Sequence, residues 1–229
     1  MLTRSKFFFT EDAFARLRSS KVIVFGLGGV GSWAAECLVR TGITDITLVD
    51  FDTVARSNIN RQLQATSVTV GESKAEALRR RLMDINPDAD IKAVNGRYSE
   101  ATAGEFDLCA YDYVVDAIDS VADKALLILN ATSCRDTMLV SSMGAAMRVD
   151  PGRVKVAEFW KVEGCPLARA LRQRFKRSGH YPGRKFKAVY SDEASVAMPE
   201  GMKGSLCQVT AVFGMTLASL IVNDVIRGR

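Results

Sequence analysis

Hydrophobic residues in the first two thirds of the chain form short continuous runs separated by stretches with helical spacing. The run Val22-Ile23-Val24-Phe25 is apolar throughout and ends at a glycine cluster, which is typical of a strand buried on both faces of a sheet. Between Val30 and Arg40 the apolar residues follow i, i+3, i+4, i+7 spacing, which predicts a helix that ends before Gly42. The same criteria predict strands at residues 45–50, 91–94, 113–117 and 138–142, and helices at 72–85 and 121–134.

This alternation predicts an α/β fold, a Rossmann-like, doubly wound and mostly parallel sheet. After Met143 the pattern changes to a period-two strand at 154–159, a helix at 166–176, a basic loop, a short strand at 188–190 and a long helix at 206–226. We therefore expect a single domain over residues 1–229. Its nucleotide-binding half is residues 1–143, and residues 144–229 form a C-terminal elaboration.

The predicted last helix carries no charge between Lys203 and Asp224, which is close to the ~20 apolar residues that a membrane span needs. Polar side chains such as Gln208, Thr210 and Ser219 interrupt the apolar surface, and in lipid they are costly without partners. We therefore expect a buried core or subunit-interface helix and no stable membrane insertion.

The glycine cluster after the first strand fits the pattern GxGxxG, with its glycines at Gly26, Gly28, Gly29 and Gly31. Such a loop lets phosphate oxygens approach the backbone closely, and the start of the following helix favours anions. Asp50 ends the next strand, where a carboxylate accepts hydrogen bonds from ribose hydroxyls. The pattern predicts a nucleotide site, and the alternative is a glycine turn used only for close helix-strand packing.

The next polar residues separate an ATP site from an NAD site. Asn58 and Arg61 lie in a loop just past Asp52, which is itself a further candidate for the nucleotide site, and Lys74 opens the following helix. This is more positive charge than a pyrophosphate bridge needs, and a triphosphate would use it. Asp119 follows the fourth strand at the same sheet edge, where it could hold Mg²⁺ or cap the next helix. An NAD-dependent oxidoreductase would leave Arg61, Lys74 and Asp119 without a role.

Charge is concentrated in one segment of this 229-residue chain. The net charge is 31 − 26 = +5, yet residues 161–187 hold nine basic residues and one acid. Such a patch predicts a polyanionic partner such as a nucleic acid, although a charged helix is often only a solvated face. The candidate phosphate-binding residues are Arg169, Arg172, Arg174, Lys176, Arg177, Arg184, Lys185 and Lys187, with Phe175, Tyr181 and Phe186 as candidate stacking groups.

The five cysteines form no CxxC pair, and their odd number cannot be fully paired within the chain. These observations argue against a zinc ribbon and a disulfide framework. Residues 1–20 lack the sustained apolar core of a signal peptide, so we expect a reducing cytoplasm. Cys165 and Cys207 are candidates for a thioester-forming nucleophile, and buried, inert thiols are the alternative.

Four motifs in the first half carry a family resemblance. GLGGVGS, DFD followed by SNINRQ, GESKA and DAIDS resemble, in order and spacing, the ThiF/MoeB/HesA superfamily of ATP-dependent adenylating enzymes. The resemblance implies that Asp50, Asn58, Arg61, Lys74 and Asp119 hold ATP and Mg²⁺, with Asp119 as the metal ligand. It also implies a homodimer in which the arginine often reaches across to the other subunit.

The second half resembles one branch of that superfamily. It lacks the two CxxC pairs usual in MoeB-like and ThiF-like members, and SSMGAA, CPLAR and a Gly-Ser before the last helix are similar to the tRNA threonylcarbamoyladenosine dehydratases. That resemblance implies ATP-dependent activation of a carboxylate on the modified adenosine beside the anticodon of ANN-decoding tRNAs, which then cyclises, and sulfur-transfer partner proteins.

Two alternatives to this function remain open. The same ATP site could adenylate the C-terminal glycine of a ubiquitin-like or sulfur-carrier protein, or the chain could be a non-catalytic nucleotide-sensing or tRNA-binding module. The chain also departs from the family before its first strand, where a short N-terminal extension could lack part of the ATP-covering segment.

Overall fold

A seven-stranded sheet with helices on both faces forms the centre of the molecule in a computed structural model, which describes residues 2–196, 199 and 204–228. The strands are β1 (Lys21–Phe25), β2 (Asp45–Asp50), β3 (Asp90–Asn95), β4 (Tyr113–Asp116), β5 (Met138–Ser142), β6 (Val154–Glu158) and β7 (Lys187–Ser191). The helices are α1 (Thr3–Lys6), α2 (Glu11–Ser19), α3 (Gly31–Thr41), α4 (Lys74–Ile85), α5 (Val121–Ser133), α6 (Pro166–Ser178) and α7 (Cys207–Arg227).

The strand order is β3-β2-β1-β4-β5-β7-β6, and every neighbouring pair is parallel except β6 with β7. Strands β2 and β3 are added on one side of β1, and the chain then crosses over to β4, which pairs with the other side of β1 and begins the second half of the sheet. This confirms the predicted doubly wound, mostly parallel sheet. It also places the change of direction between β1 and β4, where open α/β sheets bind their ligands.

Strand β1 shows why its residues are apolar on both sides. Val22 and Val24 belong to the core beneath α3, α4 and α7, whereas Ile23 and Phe25 belong to the core beneath α5 and α6. A strand covered on both faces has no solvent side, so alternation disappears from its sequence.

The N-terminal helices α1 and α2 are absent from the sequence prediction. Helix α2 has ordinary start signals, because the Thr10 hydroxyl accepts a hydrogen bond from Ala13 N at 3.2 Å and acidic residues follow. Its Arg16 Nη2 donates to Val225 O near the end of α7 at 3.1 Å. This helix therefore ties the chain's first segment to its last.

Helix α7 has the length and apolar composition of a membrane span, with a mean hydropathy of 1.8, and half of that stretch is buried inside the fold. Gly214 lies so close to α3 that an added Cβ would stand 2.4 Å from Val30 O and 2.8 Å from Ala34 N. Phe213 and Leu217 beside it are fully buried. The helix is thus part of the core, as its polar interruptions predicted.

One disulfide corrects the expectation drawn from the cysteine count. Cys109 and Cys134 are joined, while Cys37, Cys165 and Cys207 are free thiols. The two partners are 25 residues apart and meet because the turn before β4 packs against the end of α5. No local spacing rule reveals such a pair. Cys165 is buried, which matches the alternative of an inert thiol.

Candidate active site

A cavity of about 800 Å³ opens at the carboxyl ends of β1, β2, β4 and β5. Nine of the ten residues predicted to bind the nucleotide line it: Gly26, Gly28, Gly29, Asp50, Asp52, Asn58, Arg61, Lys74 and Asp119. They come from four separate chain segments that only the crossovers of the sheet bring together. The structure therefore assembles the predicted cluster in one place.

The glycine loop has two different requirements for glycine. Gly26 has a φ of +84°, and a Cβ there would stand 2.7 Å from Ala117 O. Gly31, the tenth predicted residue, lies behind the loop, where a Cβ would stand 1.8 Å from Gly26 O. Gly26, Gly28 and Gly29 thus face the cavity, and Gly31 permits the turn to close against the start of α3.

Asp50 fixes the loop to the neighbouring strand. Its Oδ2 accepts a hydrogen bond from Leu27 N at 2.6 Å, and its Oδ1 accepts one from Asp52 N at 2.9 Å. Burial raises the pKa of this carboxyl above its usual value, and the two backbone hydrogen bonds oppose that rise. Each oxygen keeps a second lone pair for a ligand hydroxyl.

Lys74 is a buried cation at the start of α4. Its Nζ lies 2.7 Å from Asp52 Oδ2, and only 7% of its side chain is exposed. The pair is held in register by backbone hydrogen bonds that include Lys74 N to Asp52 O at 3.0 Å. The ammonium is therefore positioned before any ligand binds, which lowers the entropic cost of gripping a phosphate.

Arg61 and Asn58 lie in one turn beside the glycine loop. Asn58 Oδ1 accepts a hydrogen bond from Ala55 N at 3.0 Å. Arg61 Nη1 donates to Ser57 O and Asn60 Oδ1, both at 2.9 Å. In this structure Arg61 thus lines the cavity of its own chain.

Asp119 is an exposed carboxylate at the cavity mouth. The capping role is taken by Ser120, whose Oγ accepts from Asp123 N at 3.5 Å, so Asp119 does not serve as the helix cap. Within residues 2–196, 199 and 204–228, no three His, Cys, Asp or Glu side chains form a metal-ligand group. A lone carboxylate suits Mg²⁺, which takes few protein ligands and completes its shell with phosphates and water.

A buried ion pair that sequence reasoning missed supports the cavity floor. Lys124 Nζ lies 2.9 Å from Asp116 Oδ2, and both side chains are fully buried. Asp116 also accepts from Ser141 Oγ at 2.7 Å and from Ile118 N at 3.1 Å. The network links the ends of β4 and β5 to α5. Its sequence signal was weak, since an acid at the end of a strand and a lysine in a helix usually lie in solvent.

Phe51 and Arg97 form a second unpredicted part of the cavity wall. Phe51 is 54% exposed, and the Arg97 guanidinium lies 5.4 Å from the centre of its ring. Arg97 is also paired with Asp123 at 2.7 Å. An exposed aromatic ring next to Asp50 in the chain offers a flat stacking surface.

Arg148 is a third unpredicted group in this wall and is only 3% exposed. It follows Met147, the one non-glycine residue with a left-handed φ (65°) in the described part of the chain. Its Nη2 makes a long 3.4 Å bond to Gly164 O, while Nε and Nη1 have no partner among the described residues. A buried cation with no counterion among the described residues gives the cavity a preference for anions.

The basic segment separates into two classes of side chain. Arg172 Nη1 donates to Val162 O at 2.8 Å and Phe159 O at 3.3 Å, and Arg184 donates to four carbonyl oxygens around the end of α5. These two arginines hold loops in place. The other predicted phosphate-binding residues are exposed: Arg169, Arg174, Lys176, Arg177, Lys185 and Lys187.

The prediction of an exposed stacking ring is wrong for two of the three residues. Phe175 is fully buried and Phe186 is 5% exposed, and both pack against Phe159, with ring centres 6.0 and 4.9 Å away. Only Tyr181 is exposed as predicted. The helical spacing of Phe175 with Ala168 and Leu171 was a core signal.

A second cavity of about 680 Å³ lies at the opposite edge of the sheet, beside the first residues of β4 and β5. Arg184, Lys185 and Lys187 line it together with Asp224 and Glu158. Its mixture of acids and bases and its position at the amino ends of the strands distinguish it from the nucleotide cavity.

Comparison with known proteins agrees with this geometry. The ThiF family profile matches residues 2–227. The tRNA threonylcarbamoyladenosine dehydratases of Bacillus subtilis and Escherichia coli are each 37% identical, with matches that cover 88% and 91% of this chain and 78% and 87% of theirs.

A solved structure of the E. coli enzyme in complex with ATP superposes with a TM-score of 0.89 at 36% identity, and the match covers 99% of this chain and 93% of that one. Its AMP complex superposes with a TM-score of 0.88 at 36% identity, over 97% and 92%. The match spans both halves of the fold, including the elaboration after β5. The chain therefore belongs to the ThiF family.

Proposed function

We propose that this protein is an ATP-dependent tRNA threonylcarbamoyladenosine dehydratase. The observation that carries the proposal is the cavity at the β1/β4 switch, lined by the glycine loop, Asp50, Arg61, Lys74 and Asp119. Relatives of that name match most of the chain, and one has been solved with ATP and with AMP.

The chemistry requires an activated carboxylate. A carboxylate oxygen of the modified adenosine attacks the α-phosphorus of ATP, and pyrophosphate leaves. The carbamoyl group of the same modification then attacks the carbonyl carbon of the mixed anhydride and loses its N–H proton. AMP leaves with one former carboxylate oxygen, so the ring closes with the net loss of one water from the nucleoside. These steps need positioning and neutralised charge more than a protein nucleophile.

Several cavity residues then have a role. Asp50 accepts from the ribose hydroxyls, Phe51 stacks on the adenine, and the amides of the glycine loop hold phosphate oxygens. Lys74, already fixed by Asp52, and Arg61 neutralise the phosphate charge that is transferred to the departing pyrophosphate.

Asp119 is the proposed ligand of Mg²⁺. The bound ion would neutralise phosphate charge, and the exposed carboxylate at the cavity mouth fits an ion that shares its shell with phosphates. Asp119→Ala should abolish turnover and leave the melting temperature unchanged, because the side chain is exposed and makes no hydrogen bond or ion pair with the described residues. Normal activity of this variant would remove the assigned role.

We also propose a homodimer in the cytoplasm. Leu206 and Met215 on or beside α7 are exposed apolar side chains that a second copy could cover. Sedimentation of a fully active monomer at micromolar concentration would contradict the homodimer.

If Arg61 serves the other subunit, mixing inactive Arg61→Ala and Lys74→Ala chains should restore activity. The sulfur-transfer partners and the preference for ANN-decoding tRNAs stay predictions.

The decisive experiment supplies the pure protein with ATP, Mg²⁺ and tRNA that carries threonylcarbamoyladenosine. We expect AMP release and a nucleoside lighter by one water, detected by mass spectrometry. The same tRNA without the modification is the control and should release no AMP. AMP release driven by a small protein with a C-terminal glycine, without any tRNA product, would assign the second substrate class instead.

A further inference from the structure

Two large aromatic rings stand exposed side by side next to helix α6. Trp160 is 42% exposed and Tyr181 is 55% exposed, and their ring centres are 6.2 Å apart at an interplanar angle of 44°. The sequence analysis had named Phe175, Tyr181 and Phe186 as candidate stacking groups, and of these only Tyr181 is exposed. Exposed aromatic pairs of this size mark binding surfaces more often than isolated apolar residues do.

The position of Trp160 is fixed from behind. Its ring packs against Phe159 and Phe175, with ring centres 5.2 and 6.4 Å away. Its carbonyl lies in the turn that Arg172 holds, at 3.5 Å from Nη1. The ring is therefore anchored along one side and open on the other, so a ligand would find it already ordered.

Exposed positive charge on the helix next to this pair favours one kind of partner. Four side chains of α6 are exposed and form no hydrogen bond or ion pair with any described residue: Arg169, Arg174, Lys176 and Arg177. Lys161 beside Trp160 is exposed as well. Flat apolar rings among free cations suit a ligand with flat faces and a negative backbone, which is single-stranded nucleic acid.

The distance from the cavity fits this partner. Helix α6 begins at the nucleotide cavity, where Pro166, Leu167 and Ala170 line the wall. From Leu167 to Phe175, against which Trp160 packs, is eight residues, or about 12 Å at 1.5 Å per residue. Stacked nucleotides rise ~3.4 Å each, so about three or four nucleotides span the interval.

We infer that Trp160 and Tyr181 form a stacking platform for an unpaired base that lies a few nucleotides from the adenosine held at the cavity. The inference rests on the proposed tRNA substrate and adds the surface that holds the loop in place. Only a loop offers such a base, because paired bases keep their faces stacked on their neighbours. The exposed cations of α6 would contact the intervening phosphates.

Tryptophan fluorescence tests the contact without any turnover. The chain has two tryptophans, Trp33 and Trp160. Trp33 lies on α3, where its Nε1 donates a hydrogen bond to Arg61 O. We expect an anticodon stem-loop RNA to quench the wild-type emission, and Trp160→Phe to bind the same RNA with less than a threefold change in affinity but without that quenching. A fully paired RNA duplex of equal length is the control and should quench little.

Affinity measured over a salt series separates stacking from charge. Trp160→Ala and Tyr181→Ala should each weaken stem-loop binding by about 5- to 150-fold, the range for one lost base stack, with an unchanged salt slope. Tyr181→Ala removes an exposed ring and so tests the idea even if Trp160→Ala unfolds. Equal quenching by duplex, undiminished quenching in Trp160→Phe, no quenching by any RNA, or unchanged affinity of Tyr181→Ala would each overturn the inference. The proposed function is decided separately, by the dehydrated nucleoside.

Discussion

Cations in the proposed nucleotide cavity and on the outer face of α6 are held in different ways. Lys74 in the cavity wall is almost fully buried and already bound to Asp52, and Lys124 beneath it is fully buried against Asp116. On α6, side chains such as Arg174 and Lys176 project into solvent. Buried charges interact strongly and are little screened, whereas exposed ones gain little energy and lose it in salt.

The comparison predicts that the basic residues of this chain fall into three kinds. Some cations hold the fold, some hold a ligand in a protected site, and some attract a ligand from solution. Substitutions should therefore separate into losses of stability, losses of turnover at any salt concentration, and losses of affinity that depend on salt.

The largest effect is expected at Lys124. Lys124→Met leaves Asp116 as an uncompensated buried charge, which costs about 3–5 kcal/mol. For a chain of this size that lowers the melting temperature by about 6–20 °C. Scanning calorimetry measures it. Lys176→Met is the matched control, because Lys176 is exposed and its loss should change stability by less than ~0.5 kcal/mol. Equal melting temperatures in both variants would contradict the division between buried and exposed cations.

The next effect is expected at Lys74. Lys74→Ala should lower kcat/KM by about 10²–10³-fold, the cost of removing one preorganised group that stabilises developing charge. The loss should be similar at 50 and 200 mM salt because the site is protected. ATP-dependent AMP release with tRNA gives the rate. Arg56→Ala, an exposed arginine near the same loop that does not line the cavity, should keep wild-type kinetics. A loss that disappears at high salt would place Lys74 among the exposed charges.

Within α6 two neighbouring arginines should differ. Arg172→Ala removes hydrogen bonds to Val162 O and Phe159 O and should cost about 1–3 kcal/mol of stability. Arg174→Ala, two residues later and exposed, should leave stability unchanged. Urea unfolding of both variants measures the difference. If they unfold at the same urea concentration, Arg172 is not the clamp that its hydrogen bonds indicate.

Particular residues show which parts of the fold and of the site could be predicted from the sequence. The glycine loop, Asp50 and Lys74 were predictable because strand-turn-helix punctuation is local and the sheet topology then brings strand ends together. The Asp116–Lys124 pair, Arg148 and the Cys109–Cys134 bond were not, because each depends on which side chains meet across separate elements. Phe175 was misassigned for a related reason, because an aromatic residue in a basic helix lies on whichever face the helix turns inward. Phe186 was misassigned because it lies in the loop before β7, where its ring stacks on the buried Phe159.

The smallest expected effect is the one that most directly identifies the second substrate. Each exposed α6 cation that contacts a phosphate releases a counterion on binding, so its removal should lower the slope of log K against log salt by about 0.7 for single-stranded RNA. Arg174→Ala should therefore bind tRNA a few-fold more weakly at 50 mM salt and approach the wild-type affinity at high salt, while its ATP affinity is unchanged. Arg18→Ala, an exposed helical arginine on α2, is the matched control and should keep the full slope. Fluorescence anisotropy with labelled tRNA measures both. If Arg169→Ala, Arg174→Ala and Arg177→Ala all keep the wild-type slope, these side chains form only a solvent-exposed helix surface and do not bind tRNA. A protein with a C-terminal carboxylate then becomes the favoured substrate of the same ATP site.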